Sequence, residues 1–547
     1  MAKAKDPEAQ KRKEEIKKAD VRLLAQLGYK QEFKRDFKPI EVFGVSFSII
    51  GLTPSIASVL FYSLPNGGGP AMVWGWLVAS LLVLCVGMSM AELASAMPTS
   101  GGLYFWTYAF ASPRCRKILC WIVGYANTIG NIAAVASIDW GCAVQVMAAV
   151  TIASPDFSPS AAQLFGVYTG IVMCHGVLCC LGTTILARLQ TVYIILNVLL
   201  CMVVIIVLPI TTPNEFRNTP SFALGDFTNF NGWPNGFAFI LSFLAPLWTI
   251  CSFDASVHIA EESSNASVAV PWGIVNAISV AGILGWAINM VLAFCMGTDL
   301  EALYDSDQPM ALIFLNSFGK NATLGLWIVV VLVQFMMGSS MLLGASRQTF
   351  AFSRDGALPL SGWLYRINRY TGTPINSVWY DAVLAIAMGL LVFAGDQAIN
   401  AAFALSVTGL YIAYAIPIIC RFWGENDFKP GPFYLGSLSG ACAIVSVSFM
   451  FFMSVVFLFP TEPTTTLGDM NYTVVVLGGV LALSLVWYYF PGYGGVHWFT
   501  GPLKTIEKGD PALELNQFQL GTQRTGGGMS SNSNSQFSAT ASSNYRN

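Results

Sequence analysis

The sequence points to an all-α membrane protein of twelve transmembrane helices, on three grounds. Apolar residues make up 54% of the 547-residue chain and charged residues only 11%. The apolar residues are gathered into blocks of about twenty, the length an α-helix needs to cross roughly 30 Å of hydrocarbon. Threading those blocks through a bilayer leaves Lys and Arg almost entirely on one side. Two blocks at corresponding places are broken by helix-weakening residues: FGVSFSIIGLTPSIAS holds Gly44, Gly51 and Pro54, and FLAPLWTICSFDASVH holds Pro246, Ser252 and Asp254. Backbone groups freed by such a break cannot face lipid, so the break survives where it lines a cavity or holds a ligand, as in a transporter.

In order, spans are expected at 40–62, 71–96, 119–150, 162–183, 189–210, 237–259, 271–297, 323–345, 376–395, 398–421, 439–460 and 472–490. The first follows the basic MAKAKDPEAQKRKEEIKKAD, which has no apolar core behind it within signal-peptide distance and is expected to stay as part of a cytosolic tail over 1–39. The second ends at MPTSGG, where Pro98, Gly101 and Gly102 force a turn, and Arg114, Arg116 and Lys117 lead into the third. Arg188 separates the fourth from the fifth, Arg347, Arg354, Arg366 and Arg369 follow the eighth, and Arg421 and Lys429 follow the tenth. With the N-terminus inside, all of these are inner residues, and only Arg217 and Lys320 fall outside. One missed or invented helix would invert every later loop, so the asymmetry supports both the orientation and the even count. The outer loops TTPNEFRNTPSFALGDFTNFNGWPNG and GTDLEALYDSDQPM carry acidic and aromatic residues suited to lids or vestibules. Beyond the membrane domain at 40–491, the segment 492–547 ends in a polar, low-complexity run expected to be a disordered cytosolic tail.

Several function classes are excluded. No nucleophile, base and oxyanion arrangement and no phosphate-binding loop points to an enzyme. The twelve cysteines include no paired CxxC, and His175, His258 and His497 are far apart, so neither a metal nor a cofactor is expected. A net charge of -2 does not imply nucleic acid. The sequons at Asn265, Asn321 and Asn471, of which the topology puts the last two outside, are short enough to be chance matches.

AELASAMPTSGGLYFW at 91–106, together with the two broken helices, resembles the amino acid, polyamine and organocation permease superfamily. Within it, GYKQEFKRDF at 28–37, FSIIGLTPSIAS at 47–58, GGGPAMVWGW at 67–76, SFDASVHIAEE at 252–262, SRQTFAFSRDGALPLS at 346–361 and GPFYLG at 431–436 resemble the fungal γ-aminobutyrate permeases of the amino acid/choline transporter branch. The resemblance implies a LeuT-type fold, with helices 1 to 5 and 6 to 10 as inverted repeats, helices 1 and 6 unwound around a midplane site, and helices 11 and 12 outside the repeat. It also implies secondary transport of a small amino acid or amine across the lipid bilayer, coupled to a proton. Alternatives are choline, a polyamine, a vitamin precursor or α-amino acids as cargo, and a nutrient sensor that binds without transport.

Such a substrate presents a carboxylate and an ammonium that must both be desolvated. The positive end of a half-helix suits the first and unwound carbonyls suit the second. By resemblance, Ser48, Ile49, Ile50 and Gly51 hold the carboxylate and Trp248, Thr249 and Ser252 the ammonium. Ser46-Phe47-Ser48-Ile49-Ile50-Gly51 departs from the Gly-x-Gly pattern of many superfamily members, a departure that favours a non-α substrate; a plain packing role for Gly51 is the alternative. Trp248 is a gate and cation contact or a packing residue. A carboxylate within a span costs on the order of 3 kcal/mol, so Asp254 is an anchor, a proton site or an ammonium contact. His258 lies one turn beyond it on the same face, and Glu261 and Glu262 follow as an inner gate or a solvated helix end. Glu92 is a gate or cap; Asp139 and Asp381 are further acidic candidates; Asn127, Asn131 and Gln334 suit bonds between helices. No lysine lies within a span, and Asp254, Asp139 and Glu92 are the candidate proton carriers, whereas Ser339-Ser340 sit where a sodium site would need hydroxyls.

Overall fold

The computed structural model describes residues 7–464 and 470–506, so most of the predicted C-terminal tail lies outside the described residues. Among them no β-strand forms; two isolated bridges, Phe37 with Ser263 and Asn66 with Asn229, are the only β pairings. The principal helices are α1 (Pro7–Gln26), α2 (Pro39–Ile50), α3 (Leu52–Ser63), α4 (Trp76–Ala96), α5 (Gly102–Phe110), α6 (Arg116–Ala153), α7 (Ala161–Cys179), α8 (Thr183–Thr211), α9 (Asn235–Leu241), α10 (Leu244–Thr249), α11 (Ala255–His258), α12 (Ala266–Cys295), α13 (Pro309–Arg354), α14 (Ile375–Gly389), α15 (Asp396–Trp423), α16 (Leu438–Val456) and α17 (Thr473–Tyr489).

Ten described helical segments are long and apolar enough to cross a membrane. Two shorter apolar ones, Asn235–Thr249 and Thr473–Tyr489, stand at the sixth and twelfth predicted positions. Local chemistry sets the helix starts. At α2, Pro39 occupies the first turn and the Glu41 carboxylate accepts the Lys38 N–H at 2.7 Å. At α7, Ser160 and Gln163 cap each other reciprocally, at 3.3 and 2.9 Å. The fourth-last predicted element of the first half, α4, is preceded by a π turn over Ala71–Gly75.

Both predicted breaks are present. Gly51 stands between α2 and α3 with φ 41°, and Ser252 lies between α10 and α11 with φ 55°. The first broken span is central: 94% of its apolar window is buried, against 33% for that of α8. The outward faces of α8 and α16 instead carry Leu199, Ile206, Ile210, Ile444 and Phe451, which suit lipid.

α13 is longer than the predicted eighth span. A non-helical backbone at Gly319 separates its outer turns, and its inner part runs on to Arg354. The end of α1 and the segment after it are packed against the bundle, with Leu24, Tyr29, Phe33 and Phe37 buried. A strap near residue 505 lies alongside it: the Thr505 N–H donates to the Gly28 carbonyl at 2.9 Å, and the Lys30 N–H to Thr505 Oγ1 at 2.8 Å.

Candidate substrate site at the two helix breaks

The two breaks face each other. Ser46 Oγ, one turn before Gly51, donates to the Phe253 carbonyl at 3.0 Å, and Asn197 on α8 donates to the Phe47 carbonyl at 3.3 Å. A Cβ at Gly51 would lie 2.9 Å from Met337 Sδ on α13, so the left-handed turn and the close approach both call for glycine. α3 begins at Leu52 without a side-chain cap, and the amides of Leu52 and Thr53 have no partner within that helix. The Ser48 and Thr249 hydroxyls are buried with no hydrogen-bond partner. Buried polar groups in folded proteins are nearly always paired, so these two unmet hydroxyls beside the facing breaks are exceptions to the rule. Ile49, Ile50 and Ser252 are buried around the same breaks.

Trp248 is buried and does not face lipid: its indole N–H donates to Ser137 Oγ on α6 at 3.0 Å, and its ring lies 4.9 Å from Phe403 on α15. Phe403 also meets Tyr62 at 5.9 Å. Tyr62, with Asn66, Leu244, Asn400 and Ala404, lines a cavity at the end of the bundle predicted to be outside. An aromatic chain therefore runs from the cavity wall to the α10 break.

Asp254 is fully buried and fully engaged. It accepts the Tyr414 hydroxyl at 2.6 Å and meets His258 Nε2 at 3.2 Å. His258 Nδ1 lies 3.0 Å from the Ser100 carbonyl, which only accepts, so that nitrogen carries a hydrogen. Asn127, itself bonded by Asn131 at 2.7 Å, flanks the imidazole at 3.3 Å.

The end of α11 is buried, not solvated. Arg354 grips Glu261 through both guanidinium nitrogens, at 3.0 and 3.1 Å, and Arg347 pairs with Glu262 at 2.8 Å. Tyr29 lies under the Arg354 guanidinium at 3.8 Å, and Arg35 donates to the Ser263 carbonyl at 2.6 Å. Asp355 accepts the hydroxyls of Tyr29 and Tyr104, at 3.1 and 2.7 Å, and the Leu503 N–H at 2.9 Å. Burial pushes its carboxyl up, against the opposing pull of Arg354 and these donors. The whole forms a clamp that closes the end of the bundle predicted to be inside.

A family model for amino acid permeases matches residues 37–481. The chain belongs to the amino acid permease family. The permease is 40% identical to the GABA-specific permease of Saccharomyces cerevisiae, over 86% of this chain and 84% of that protein. It is 38% identical to an uncharacterized amino-acid permease of Schizosaccharomyces pombe, over 92% of each, and 34% identical to an amino-acid permease of Arabidopsis thaliana, over 88% of this chain and 96% of the relative. The permease is thus an integral, multi-pass membrane protein and not an enzyme.

Two predicted residues lie away from the breaks. Glu92 pairs with Arg421 and accepts Ser439 Oγ at 2.7 Å and the Leu435 N–H at 2.8 Å, tying α4 to α15 and the loop before α16. Asp139 meets His175 Nδ1 at 3.1 Å, between α6 and α7. Sequence reasoning overlooked Tyr414, Ser137, His175, Arg347 and Arg354 as partners. The two arginines did carry a signal: seven residues apart, they share one helix face opposite the adjacent Glu261 and Glu262.

Proposed function

We propose that the permease is a twelve-span, LeuT-type secondary transporter that carries γ-aminobutyrate, or a closely related amino compound, together with protons. The observation that carries this reading is the set of unmet hydrogen-bond groups at the facing breaks: the Ser48 and Thr249 hydroxyls and the first amides of α3. The positive end of α3, with Ser48, Ile49, Ile50 and Gly51, takes the carboxylate. Trp248, Thr249 and Ser252 take the ammonium, with the indole face closing over it. Asp254, with Tyr414 and His258, anchors α11 beside the site. The relative named as a GABA-specific permease supports the choice of cargo. The family description and the Arabidopsis relative favour a broader amino acid range as the second reading.

Uptake of labelled γ-aminobutyrate, putrescine, choline and glutamate into cells lacking their own carriers, with and without a proton gradient, tests the reading. Saturable γ-aminobutyrate uptake that collapses with the gradient is expected. Robust choline transport without γ-aminobutyrate competition would replace the cargo, and uptake indifferent to the gradient would remove the proton.

A further inference from the structure

We propose that the buried pair Asp139 and His175 is the site that takes up and releases the transported proton, an inference that rests on the proton-coupled reading above. Both side chains are fully buried, and Asp139 Oδ2 lies 3.1 Å from His175 Nδ1. Unlike Asp254, which is satisfied on both oxygens, this pair leaves two atoms without partners, Asp139 Oδ1 and His175 Nε2. With Nδ1–H donated to Oδ2, the pair bears one negative charge. One added proton, on Nε2 or on Oδ1, makes it neutral, and its loss restores the charge. The two unpartnered atoms are the two positions such a proton can occupy.

The pair is placed to sense the substrate site. Gly338 on α13 abuts it so closely that a Cβ there would lie 2.0 Å from Asp139 Oδ1 and 2.6 Å from His175 Cε1. The preceding residue, Met337, presses on the Gly51 break and receives the Ser55 hydroxyl at 3.3 Å. Two residues before Asp139, Ser137 accepts the Trp248 indole N–H. A shift of α13 or α6 on substrate binding therefore moves the surroundings of both proton positions. His175 stands four residues from the end of α7 at Cys179, roughly 6 Å along the axis, which gives a short way to the inner side. The titratable groups that face Asp139 are Cys142 on α6 and Tyr168 and Cys179 on α7, and Cys179 in turn neighbours Tyr193 on α8 and Arg347 on α13. Arg347 is bound to Glu262, so it does not neutralise Asp139 by direct contact.

The test uses the full-length protein in proteoliposomes with labelled γ-aminobutyrate. One assay is accumulation driven by an imposed inside-alkaline gradient, and the other is counterflow exchange at equal pH. Asp139→Asn and His175→Gln are expected to retain counterflow, to lose gradient-driven accumulation and to flatten the pH profile of uptake. Wild-type accumulation and pH profile in either variant would overturn the assignment. So would parallel loss of both assays in His175→Gln protein that remains folded by gel filtration, since that is the mark of a structural pair. If Asp139→Asn does not fold, His175→Gln alone decides. Absence of gradient-driven accumulation in the wild type would instead overturn proton coupling, and this inference with it.

Discussion

At Gly51 the backbone adopts a left-handed turn that other residues enter at a cost of roughly 1–2 kcal/mol, and a Cβ would also push Met337 from the break. Gly51→Ala is therefore expected to lower the maximal rate of uptake while the protein still reaches the membrane, measured as transport per molecule of surface protein. For Trp248 the ring face and the indole N–H act separately. Trp248→Phe keeps an aromatic face and loses the bond to Ser137, so part of the activity should remain. Trp248→Ala removes both, and if the indole covers an ammonium it should weaken apparent affinity by about 1–2 kcal/mol, read as a five- to thirtyfold rise in KM. An unchanged KM in Trp248→Ala would reassign the residue to packing against Phe403. Some of this was legible in the sequence, because Gly51 followed by Pro54 interrupts a span and a carboxylate such as Asp254 is costly inside one. The i, i+4 spacing exposed the pairing of Asp254 with His258. The pairing of Asp139 with His175 had no such signature: the two lie 36 positions apart, and only the packing of α6 on α7 joins them.

The helices themselves were legible because a bilayer demands about twenty apolar residues per crossing, and every predicted span but the eighth coincides closely with a helix or a broken helix, the eighth being the one that α13 overruns at both ends. What hydropathy could not show lies beyond the hydrocarbon. Arg347 and Arg354 read as inner-loop charges, yet they continue α13 as helix and bury themselves against Glu262 and Glu261. Removing one partner of a buried pair leaves the other charge uncompensated, at about 3–5 kcal/mol. Arg354→Ala is accordingly expected to loosen the clamp, shown by faster proteolysis near Glu261 and by a lower Tm. Glu261→Gln with Arg354→Met should recover part of the Tm loss, because no unpaired charge remains. The clamp also carries a pH dependence. Burial raises the Asp355 carboxyl above its ordinary value of 3.8, so the folded clamp binds that proton more readily than the unfolded chain. The stability linked to Asp355 is full below 3.8 and is lost as pH rises through the raised value. In Asp355→Asn this fall should vanish from a plot of Tm against pH, while the remaining slope of the protein persists.

On the scale of the whole molecule, the two ends of the bundle differ in kind. One end has a cavity bounded by Tyr62, Asn66, Leu244 and Asn400, and the other is closed by buried ion pairs and by the chain segments around Tyr29 and Thr505. The basic-residue asymmetry predicts that the cavity lies outside and the clamp in the cytosol. Under the proposed function, the cavity end is the side from which substrate enters and the clamp is the seal that has to break for its release. In a background freed of its twelve native cysteines, Asn400→Cys should react with a membrane-impermeant maleimide added outside, and γ-aminobutyrate should slow that reaction. Ala260→Cys, buried under the clamp, should resist the reagent from either side. Adding Arg354→Ala should expose Ala260→Cys to reagent on the cytosolic side and reduce labelling at Asn400→Cys, because opening one end closes the other. Labelling of Asn400→Cys from the cytosolic side alone would invert the topology, and simultaneous full labelling of both positions would turn the carrier into a channel.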